Sequence, residues 1–433
     1  MNTAQLHQKY LLCSGVSTDT RKIRKNCMFF ALKGDNFNGN LFAEEALAKG
    51  ASYVVVDDKT YATDKLRCIL VKDVLKTLQQ LAIFHRNYLG IPILAITGSN
   101  GKTTTKELIN SVLSRRFKTV ATLGNLNNHI GVPLTLLSMD EETEFGIVEM
   151  GANHPLEIDF LCTIANPDYG YITNFGKAHL EGFGSLDGVI KAKTELYRHL
   201  QGRHKMIFLN MDDEVQRKHH QYSHTFSFGV SRLADVKVKY ETGKPYAQVN
   251  YNHTDFNSQL TGDYNSTNIA AALCIGLYFK VDFDQIHDAI AGYHPKNNRS
   301  QILESGTNKI IMDAYNANPT SMIAALENFR NLKTKHQKIV ILGDMFELGS
   351  AAATEHQVIV NFIENSNFSE TYLLGENFRS TTTSNDFIFK FKNIESLKDH
   401  LKESDFQNCY FLIKGSRGMA LERVLESLQT QAS

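Results

Sequence analysis

Cysteine is scarce in this chain and follows no motif. The six cysteines are spread over 433 residues, and no two of them form a Cys-x-x-Cys pair: Cys13, Cys27, Cys68, Cys162, Cys274 and Cys409. This spacing argues against a zinc site and against a disulfide framework, both of which need paired or regularly spaced cysteines. It favours reduced, mostly buried thiols, as in a cytoplasmic protein.

Long hydrophobic runs are also missing. No stretch approaches the length of about 18 apolar residues at which a membrane-spanning helix is expected. Residues 1–14 lack the apolar core of a signal peptide. We therefore expect a soluble, cytoplasmic protein without membrane insertion.

Charge of one sign is not in excess, since Lys+Arg and Asp+Glu both number 46. Nothing global therefore attracts nucleic acid or an anionic membrane, and we expect no nucleic-acid partner, although a local positive groove remains possible. Apolar residues make up 42% of the chain, an ordinary globular share. With 433 residues the chain is too long for a single hydrophobic core, so two or three domains are expected.

Alternating strand and helix patterns divide the chain into three α/β units. Residues 1–88 contain short strand-like runs and a helical stretch at 73–88, which predicts a small N-terminal domain. Residues 89–299 contain apolar strands at 93–96, 145–150, 169–173 and 206–209 separated by helices, as in a mostly parallel sheet. The β-branched and turn residues of 236–260 predict antiparallel strands added to this central domain.

The third unit, residues 300–433, again alternates strands and helices. Strands are predicted at 310–312, 339–342, 372–374 and 410–413. This is the pattern of a doubly wound, Rossmann-like sheet.

A glycine turn between the first central strand and a helix has the context of a phosphate-binding loop. Glycines let main-chain N–H groups turn towards phosphate oxygens, and the following helix N-terminus adds positive potential. Lys102 can neutralise the β- and γ-phosphates and Thr103 can bind Mg²⁺. The pattern departs from the common P-loop, because Ile96 stands where its first glycine would fall. We predict ATP or GTP binding by Gly98, Ser99, Asn100, Gly101, Lys102, Thr103 and Thr104.

Three further side chains are candidates for a metal site beside this loop. Glu149 ends an apolar strand and His179 follows the next one, so both are expected at the edge where α/β sheets bind ligands. Glu149 could instead bond the local backbone, and His179 could be structural. Lys193 lies in a helical stretch, where a lysine is ordinarily solvated, and spacing alone assigns it no function.

Together these segments resemble the Mur ligase family over nearly the whole chain. The most telling run is Tyr-Asn-Ala-Asn-Pro at 315–319, together with Gly-Asp-Met-Phe-Glu-Leu-Gly at 343–349. Both are typical of the members that add D-alanyl-D-alanine. The other matching segments are 17–21, 29–34, 37–40, 97–106, 124–135, 148–151, 172–181 and 414–417.

The resemblance implies an activity and its ligands. It implies ATP-driven amide formation between UDP-N-acetylmuramoyl-tripeptide and D-alanyl-D-alanine through an acyl phosphate, as a step of peptidoglycan synthesis. It also implies that the enzyme is a monomer. It implies two Mg²⁺ ions bound by Thr103, Glu149, His179 and Lys193, the last as a carbamate formed with CO₂. The implied catalytic residues are Lys102, Glu149, His179 and Lys193.

The resemblance also assigns roles in binding. It implies that Asn268 contacts adenine, that Arg299 reaches the γ-phosphate and that Asp313 contacts the ribose. The implied substrate-binding residues are Thr18, Arg21, Gly34, Asn127, Asn128, Asn316, Lys414 and Arg417.

Other functions remain open at this point. Folylpolyglutamate synthetases share the central architecture, although the separate N-terminal unit and the 315–319 run argue against them. Other Mur ligases, which add single amino acids, are a second alternative. A P-loop switch or transport ATPase that ligates nothing is an alternative of another class.

Overall fold

The computed structural model describes residues 1–295 and 299–428. The N-terminal unit is a four-stranded parallel sheet in the order β1-β2-β5-β6, with a small β3-β4 hairpin beside it. Its strands are β1 (Val16–Ser17), β2 (Met28–Phe30), β3 (Lys33–Gly34), β4 (Phe37–Asn38), β5 (Tyr53–Val56) and β6 (Cys68–Leu70). Its helices are α1 (Thr3–Leu11), α2 (Ala43–Ala48) and α3 (Val74–Leu89).

Helix α3 joins this unit to the next one. It begins after Asp73, whose side chain accepts a 2.9 Å hydrogen bond from the amide of Lys76, and it ends at Gly90, where φ is +62°. One face buries Leu78 and Leu81 in a core shared by the first two units. The position of α3 therefore couples the first sheet to the second.

The central unit is a seven-stranded, wholly parallel sheet in the order β13-β12-β11-β10-β7-β9-β8. Its strands are β7 (Ile93–Thr97), β8 (Thr119–Ala121), β9 (Phe145–Glu149), β10 (Tyr169–Ile172), β11 (Met206–Asn210), β12 (Thr225–Gly229) and β13 (Val236–Lys237). An antiparallel sheet follows, formed by β14 (Lys239–Glu241), β15 (Tyr246–Tyr251) and β16 (Thr254–Thr261). The predicted antiparallel stretch thus begins later than expected, because its first residues extend the parallel sheet as β13.

Helices cover both faces of the central sheet and enclose two separate cores. They are α4 (Lys102–Leu113), α5 (Gly131–Leu136), α6 (Glu157–Ala165), α7 (Leu180–Phe183), α8 (Leu186–Lys193), α9 (Glu195–Gln201), α10 (Glu214–Arg217), α11 (Ser266–Tyr278) and α12 (Phe283–Ala291). Strand β7 lies between β9 and β10 in the sheet. Because parallel strands end at one edge, the loops after these three strands come together there.

The C-terminal unit is a six-stranded sheet in the order β17-β18-β22-β19-β20-β21, in which only the β17–β18 pair is antiparallel. Its strands are β17 (Gln301–Ser305), β18 (Asn308–Asp313), β19 (Gln337–Gly343), β20 (Glu370–Leu374), β21 (Ile388–Phe391) and β22 (Cys409–Lys414). Its helices are α13 (Pro319–Asn331), α14 (Ala352–Glu364), α15 (Glu376–Arg379), α16 (Ile394–Glu403) and α17 (Leu425–Leu428).

The predicted class, three α/β units with a mainly parallel central sheet and a Rossmann-like last unit, is confirmed. The two edge strands β17 and β21 were not predicted, since both are half-exposed and carry polar residues. All six cysteines are free thiols. None of the helices within 1–295 and 299–428 is long and apolar enough to cross a membrane.

Candidate functional site

The glycine turn lies between β7 and α4, where the sequence placed it. Gly98 and Gly101 have φ of +140° and +76°, in the region that side chains rarely adopt. A Cβ on Gly98 would overlap the Thr173 hydroxyl, and one on Gly101 would lie 2.9 Å from Oδ1 of Asn268. Both positions therefore need glycine for close approach as well as for backbone conformation.

Lys102 is the first residue of α4, so its charge adds to the positive end of that helix. Its Nζ donates hydrogen bonds to the carbonyls of Gly98 (2.7 Å) and Ser99 (3.2 Å). Burial lowers the pKa of Lys102, while Glu149 opposes that shift. The turn and this lysine form a cradle of donors suited to phosphate oxygens.

Glu149 ends β9 and is almost completely buried, with 1% of its surface exposed. Its Oε1 accepts a 2.9 Å hydrogen bond from Nδ2 of Asn127. Its Oε2 has no hydrogen-bond partner among residues 1–295 and 299–428 and lies 3.8 Å from Nζ of Lys106. Buried carboxylate oxygens ordinarily have a partner, so this oxygen is suited to bind a cation.

Lys106 was not predicted. It is buried one turn after Lys102 on the same face of α4, and its Nζ donates a 2.6 Å hydrogen bond to the Thr122 carbonyl. Burial lowers the pKa of Lys106, and Glu149 opposes that shift. The spacing of four residues in a helix was the signal that could have pointed to it.

His179 and Lys193 both lie near the ring of Phe183. The His179 ring is 6.4 Å from the Phe183 ring, and Nζ of Lys193 is 5.3 Å from the same ring. Nδ1 of His179 lies 2.5 Å from Oε2 of Glu347, and this contact lowers the pKa of Glu347. The histidine thus contacts the C-terminal unit.

Lys193 is the last residue of α8 and is 1% exposed, so it is not the solvated lysine that helical spacing would suggest. Its Nζ donates a 3.2 Å hydrogen bond to the Ala152 carbonyl. Burial, followed by repulsion from Lys102, lowers the pKa of Lys193 well below its ordinary value. An unmodified cation is disfavoured at this position.

The residues predicted to contact adenine, ribose and the γ-phosphate line the cavity where the central and C-terminal units meet. Oδ1 of Asn268 accepts a 3.0 Å hydrogen bond from the Thr105 hydroxyl. The Arg299 guanidinium lies 3.6 Å from the centre of the Tyr315 ring. Asp313 ends β18, and its Oδ2 lies 2.6 Å from Nζ of Lys414 at the end of β22.

One cavity of about 970 Å³ brings most of these residues together. The predicted residues that line it are Ser99, Asn100, Gly101, Lys102, Thr103, Thr104, Asn127, Asn128, Glu149, His179, Asn268, Arg299, Asp313, Asn316 and Lys414. Gly98 and Lys193 are not lining residues: the first packs closely against Thr173, and the second is buried near Phe183.

Four predicted substrate-binding residues do not line this cavity. Thr18, Arg21 and Gly34 belong to the N-terminal unit, where Arg21 pairs with Asp19 at 2.9 Å. Arg417 follows β22 and pairs with Glu422 at 3.0 Å. Their assignment to substrate stays a prediction.

Asn318 is a further residue whose place in the site was not predicted. Its Nδ2 donates a 2.7 Å hydrogen bond to Oδ1 of Asn100 in the glycine turn, across the two units. Its Oδ1 caps α13 by accepting a 2.9 Å hydrogen bond from the amide of Ser321. Asn318 belongs to the 315–319 run, which indicated the family. That run did not predict a contact between Asn318 and the glycine turn.

Within the described residues no group of three or more His, Cys, Asp or Glu side chains could hold a metal ion. Glu149 and His179 could offer one oxygen and one nitrogen ligand, and Thr103 could add a hydroxyl at the start of α4. A metal ion here would therefore also need phosphate oxygens or a modified Lys193.

The fold and the site define a three-unit α/β protein with a glycine turn of the P-loop kind, beside a cavity that residues of the central and C-terminal units line together. Family models match almost the whole chain: "Mur ligase family, catalytic domain" at residues 13–86, "Mur ligase middle domain" at 96–276 and "Mur ligase, glutamate ligase domain" at 298–416. The chain belongs to the Mur ligase family.

Curated relatives share a single activity in their names. The UDP-N-acetylmuramoyl-tripeptide--D-alanyl-D-alanine ligase of Bacillus subtilis (strain 168) is 34% identical, covering 96% of this chain and 93% of the relative. The enzyme of the same name from Escherichia coli (strain K12) is 31% identical, again covering 96% and 93%.

Solved structures agree with these sequence relatives. A crystal structure of MurF from Acinetobacter baumannii superposes with a TM-score of 0.87 at 27% identity, covering 99% of this chain and 98% of that one. MurF ligase from Thermotoga maritima in complex with ADP gives a TM-score of 0.83 at 28% identity, covering 97% and 98%.

Proposed function

We propose that this chain is the ATP-dependent ligase that joins D-alanyl-D-alanine to UDP-N-acetylmuramoyl-tripeptide in peptidoglycan synthesis. The relatives from B. subtilis and E. coli carry this activity in their names over more than nine-tenths of both chains. The observation that carries the proposal is the shared cavity, which is lined by the glycine turn on one side and by Asp313 and Lys414 on the other. Such a cavity can hold ATP between two units that move relative to each other.

The reaction has two steps. A tripeptide carboxylate oxygen bonds to the γ-phosphorus of ATP, the bond from that phosphorus to the bridging oxygen breaks, and ADP leaves. The amine of the dipeptide then attacks the acyl phosphate carbonyl, phosphate leaves, and the nitrogen loses a proton. Lys102 and the N-terminus of α4 stabilise the charge on the phosphate oxygens, which is the main demand of phosphoryl transfer.

The residues near the glycine turn are suited to bind Mg²⁺. The unpartnered Oε2 of buried Glu149 is a suitable oxygen ligand, and Thr103 and His179 line the same cavity. When bound, one or two such ions would neutralise phosphate oxygens and the incoming carboxylate.

A carbamate on Lys193 would complete this ligand set. The neutral amine that burial favours adds to CO₂ through its nitrogen and loses one proton, which converts a disfavoured cation into an anion. The repulsion from Lys102 then becomes attraction.

Each unit has a proposed task. Residues 1–88 bind the UDP-sugar end, residues 89–299 bind ATP and the tripeptide carboxylate, and residues 300–433 bring the dipeptide. Closing the last unit over the cavity excludes water, which would otherwise hydrolyse the acyl phosphate. We propose that the reaction takes place in the cytoplasm and that the enzyme is a monomer.

The test is ATP turnover by the purified full-length chain. We expect continued ADP formation only when a UDP-linked tripeptide and D-alanyl-D-alanine are both present, with one UDP-linked pentapeptide detected by mass for each ADP. Tripeptides ending in diaminopimelate and in lysine are run in parallel to identify the acceptor. ATP hydrolysis that neither substrate affects would refute the ligase, and turnover with a single amino acid would point to another member of the family.

A further inference from the structure

Asn174, two residues after the end of β10, pairs its side-chain amide with the main chain of the glycine turn. Its Oδ1 accepts a 3.0 Å hydrogen bond from the amide of Asn100, and its Nδ2 donates a 3.1 Å hydrogen bond to the Asn100 carbonyl. Only one orientation of the side-chain amide satisfies both groups, because the first needs an acceptor and the second needs a donor. The side chain thus makes the pair of hydrogen bonds that a neighbouring strand would otherwise make.

The main chain around Asn174 lies against the same turn. The Asn174 carbonyl accepts a 3.0 Å hydrogen bond from the amide of Ser99. The Ser99 hydroxyl in turn accepts a 2.9 Å hydrogen bond from the amide of Gly176. A Cβ on Gly98 would lie only 3.1 Å from the main-chain nitrogen of Asn174. Residues 174–176 therefore hold the turn along one side.

These contacts divide the amide donors of the turn into two sets. The amides of Ser99 and Asn100 both donate to Asn174. The amides of residues 101–104 lie at the start of α4, among those that an α-helix leaves without an intrahelical acceptor.

We propose that Asn174 is a positioning residue for the glycine turn. It holds the amides of Ser99 and Asn100 and so directs those of residues 101–104 towards the phosphates of the nucleotide. This inference rests on the proposed function in one respect, that the ligand of the turn is ATP.

The binding test measures ADP affinity of the full-length chain by calorimetry. In Asn174→Ala we expect the affinity to fall on the order of 10-fold, as for the loss of one or two hydrogen bonds. The matched control is Asn308→Ala, at the start of β18 in the C-terminal unit. Asn308 makes the same kind of pair, since it accepts a 2.9 Å hydrogen bond from the amide of Cys409 and donates one of 2.7 Å to the Phe406 carbonyl. Asn308→Ala should lose stability and keep its ADP affinity. Unchanged affinity in Asn174→Ala overturns the proposal, and so does an equal fall in both variants.

The second test follows amide hydrogen exchange by NMR. In the nucleotide-free wild type we expect the amides of Ser99 and Asn100 to exchange slowly, and ADP should slow the exchange of residues 101–104. The Asn100 amide should exchange faster in Asn174→Ala and at the wild-type rate in Asn308→Ala. Fast exchange of the Asn100 amide in the wild type overturns the proposal even if Asn174→Ala does not fold. A wild type that binds ADP but ligates nothing refutes the ligase, and both tests still decide the role of Asn174.

Discussion

Two buried lysines of the site differ in what balances their charge. Lys106 lies 3.8 Å from the Glu149 carboxylate, whereas Lys193 donates to a neutral carbonyl and is repelled by Lys102. An isolated buried cation is costly, and such a group loses its charge or gains a partner. This difference supports the proposal of a carbamate on Lys193, which the family resemblance implied, rather than on Lys106.

Replacing Lys193 by alanine should lower kcat by on the order of 10²-fold or more, as when a group that stabilises transition-state charge is removed. Acetate or formate should restore part of the activity, because a small carboxylate can occupy the place of the carbamate. Ligation rates with and without added carboxylate measure this. The control is Lys191→Ala, since Lys191 is exposed on the same helix. Full activity of Lys193→Ala would refute the carbamate.

At the scale of the element, the glycine turn depends on space as well as on conformation. Gly98→Ala should abolish detectable ADP binding by calorimetry and lower the free energy of unfolding, because its Cβ would overlap Thr173 in an unfavourable φ. Gly90→Ala is the matched control: φ is +62° there, and nothing lies within 4 Å of the added Cβ. That variant should lose only about 1 kcal/mol and bind ADP normally. Normal ADP binding by Gly98→Ala would contradict the account of the turn.

Helices α1 and α3 meet through a buried histidine pair. Nε2 of His7 lies 3.0 Å from Nδ1 of His85, whose Nε2 lies 2.9 Å from the Met139 carbonyl. Burial lowers the pKa of both side chains below their ordinary value of 6.5. The unfolded chain therefore binds more protons than the folded one as the pH falls through 6.5, so stability is lost on acidification.

The double variant His7→Leu/His85→Leu should consequently lose less stability than the wild type between neutral and mildly acidic pH. Urea unfolding at a series of pH values measures this slope. His253→Asn, at an exposed turn, should leave the wild-type slope unchanged. An identical slope in the double variant would show that the pair does not contribute to acid sensitivity.

At the scale of the molecule, polar contacts connect the central and C-terminal units. They include the hydrogen bond between Asn318 and Asn100 and the ion pair between Lys177 and Glu355. Contacts of this kind are individually weak, so the two units are expected to open and close. Catalysis then depends on how well the closed arrangement is held.

Asn318→Ala removes a helix cap and a contact between units at once. We expect Asn318→Ala to lower the free energy of unfolding by about 1 kcal/mol and to lower kcat several-fold. Asn393→Ala separates the two effects, because Asn393 caps α16 with a 2.9 Å hydrogen bond from Ser396. It should lose similar stability and keep its activity, as unfolding curves and initial rates would show. Equal activity of the two variants would mean that the contact with the glycine turn is dispensable.

Local patterns in the sequence were sufficient to predict the α/β class, the glycine turn and the family. These features depend on residues that are neighbours in the chain: an apolar strand, two glycines and a helix start for the turn, and short runs such as 315–319 for the family. Glu149 was also placed at the sheet edge, because parallel strands end together. The half-exposed edge strands β17 and β21 escaped prediction, since they lack an apolar run.

The tertiary structure decided which distant groups meet. Burial of Lys193, the approach of Glu347 to His179 and the bond from Asn318 to Asn100 join residues from different elements or different units. Spacing along the chain does not encode such contacts, because they depend on how helices pack on the sheet and how two units close. The same limit holds for Arg417: its ion pair with Glu422 depends on the fold, and its assignment to substrate stays a prediction. The local sequence thus determined the glycine turn between β7 and α4. The packing of the units determined which side chains surround that turn.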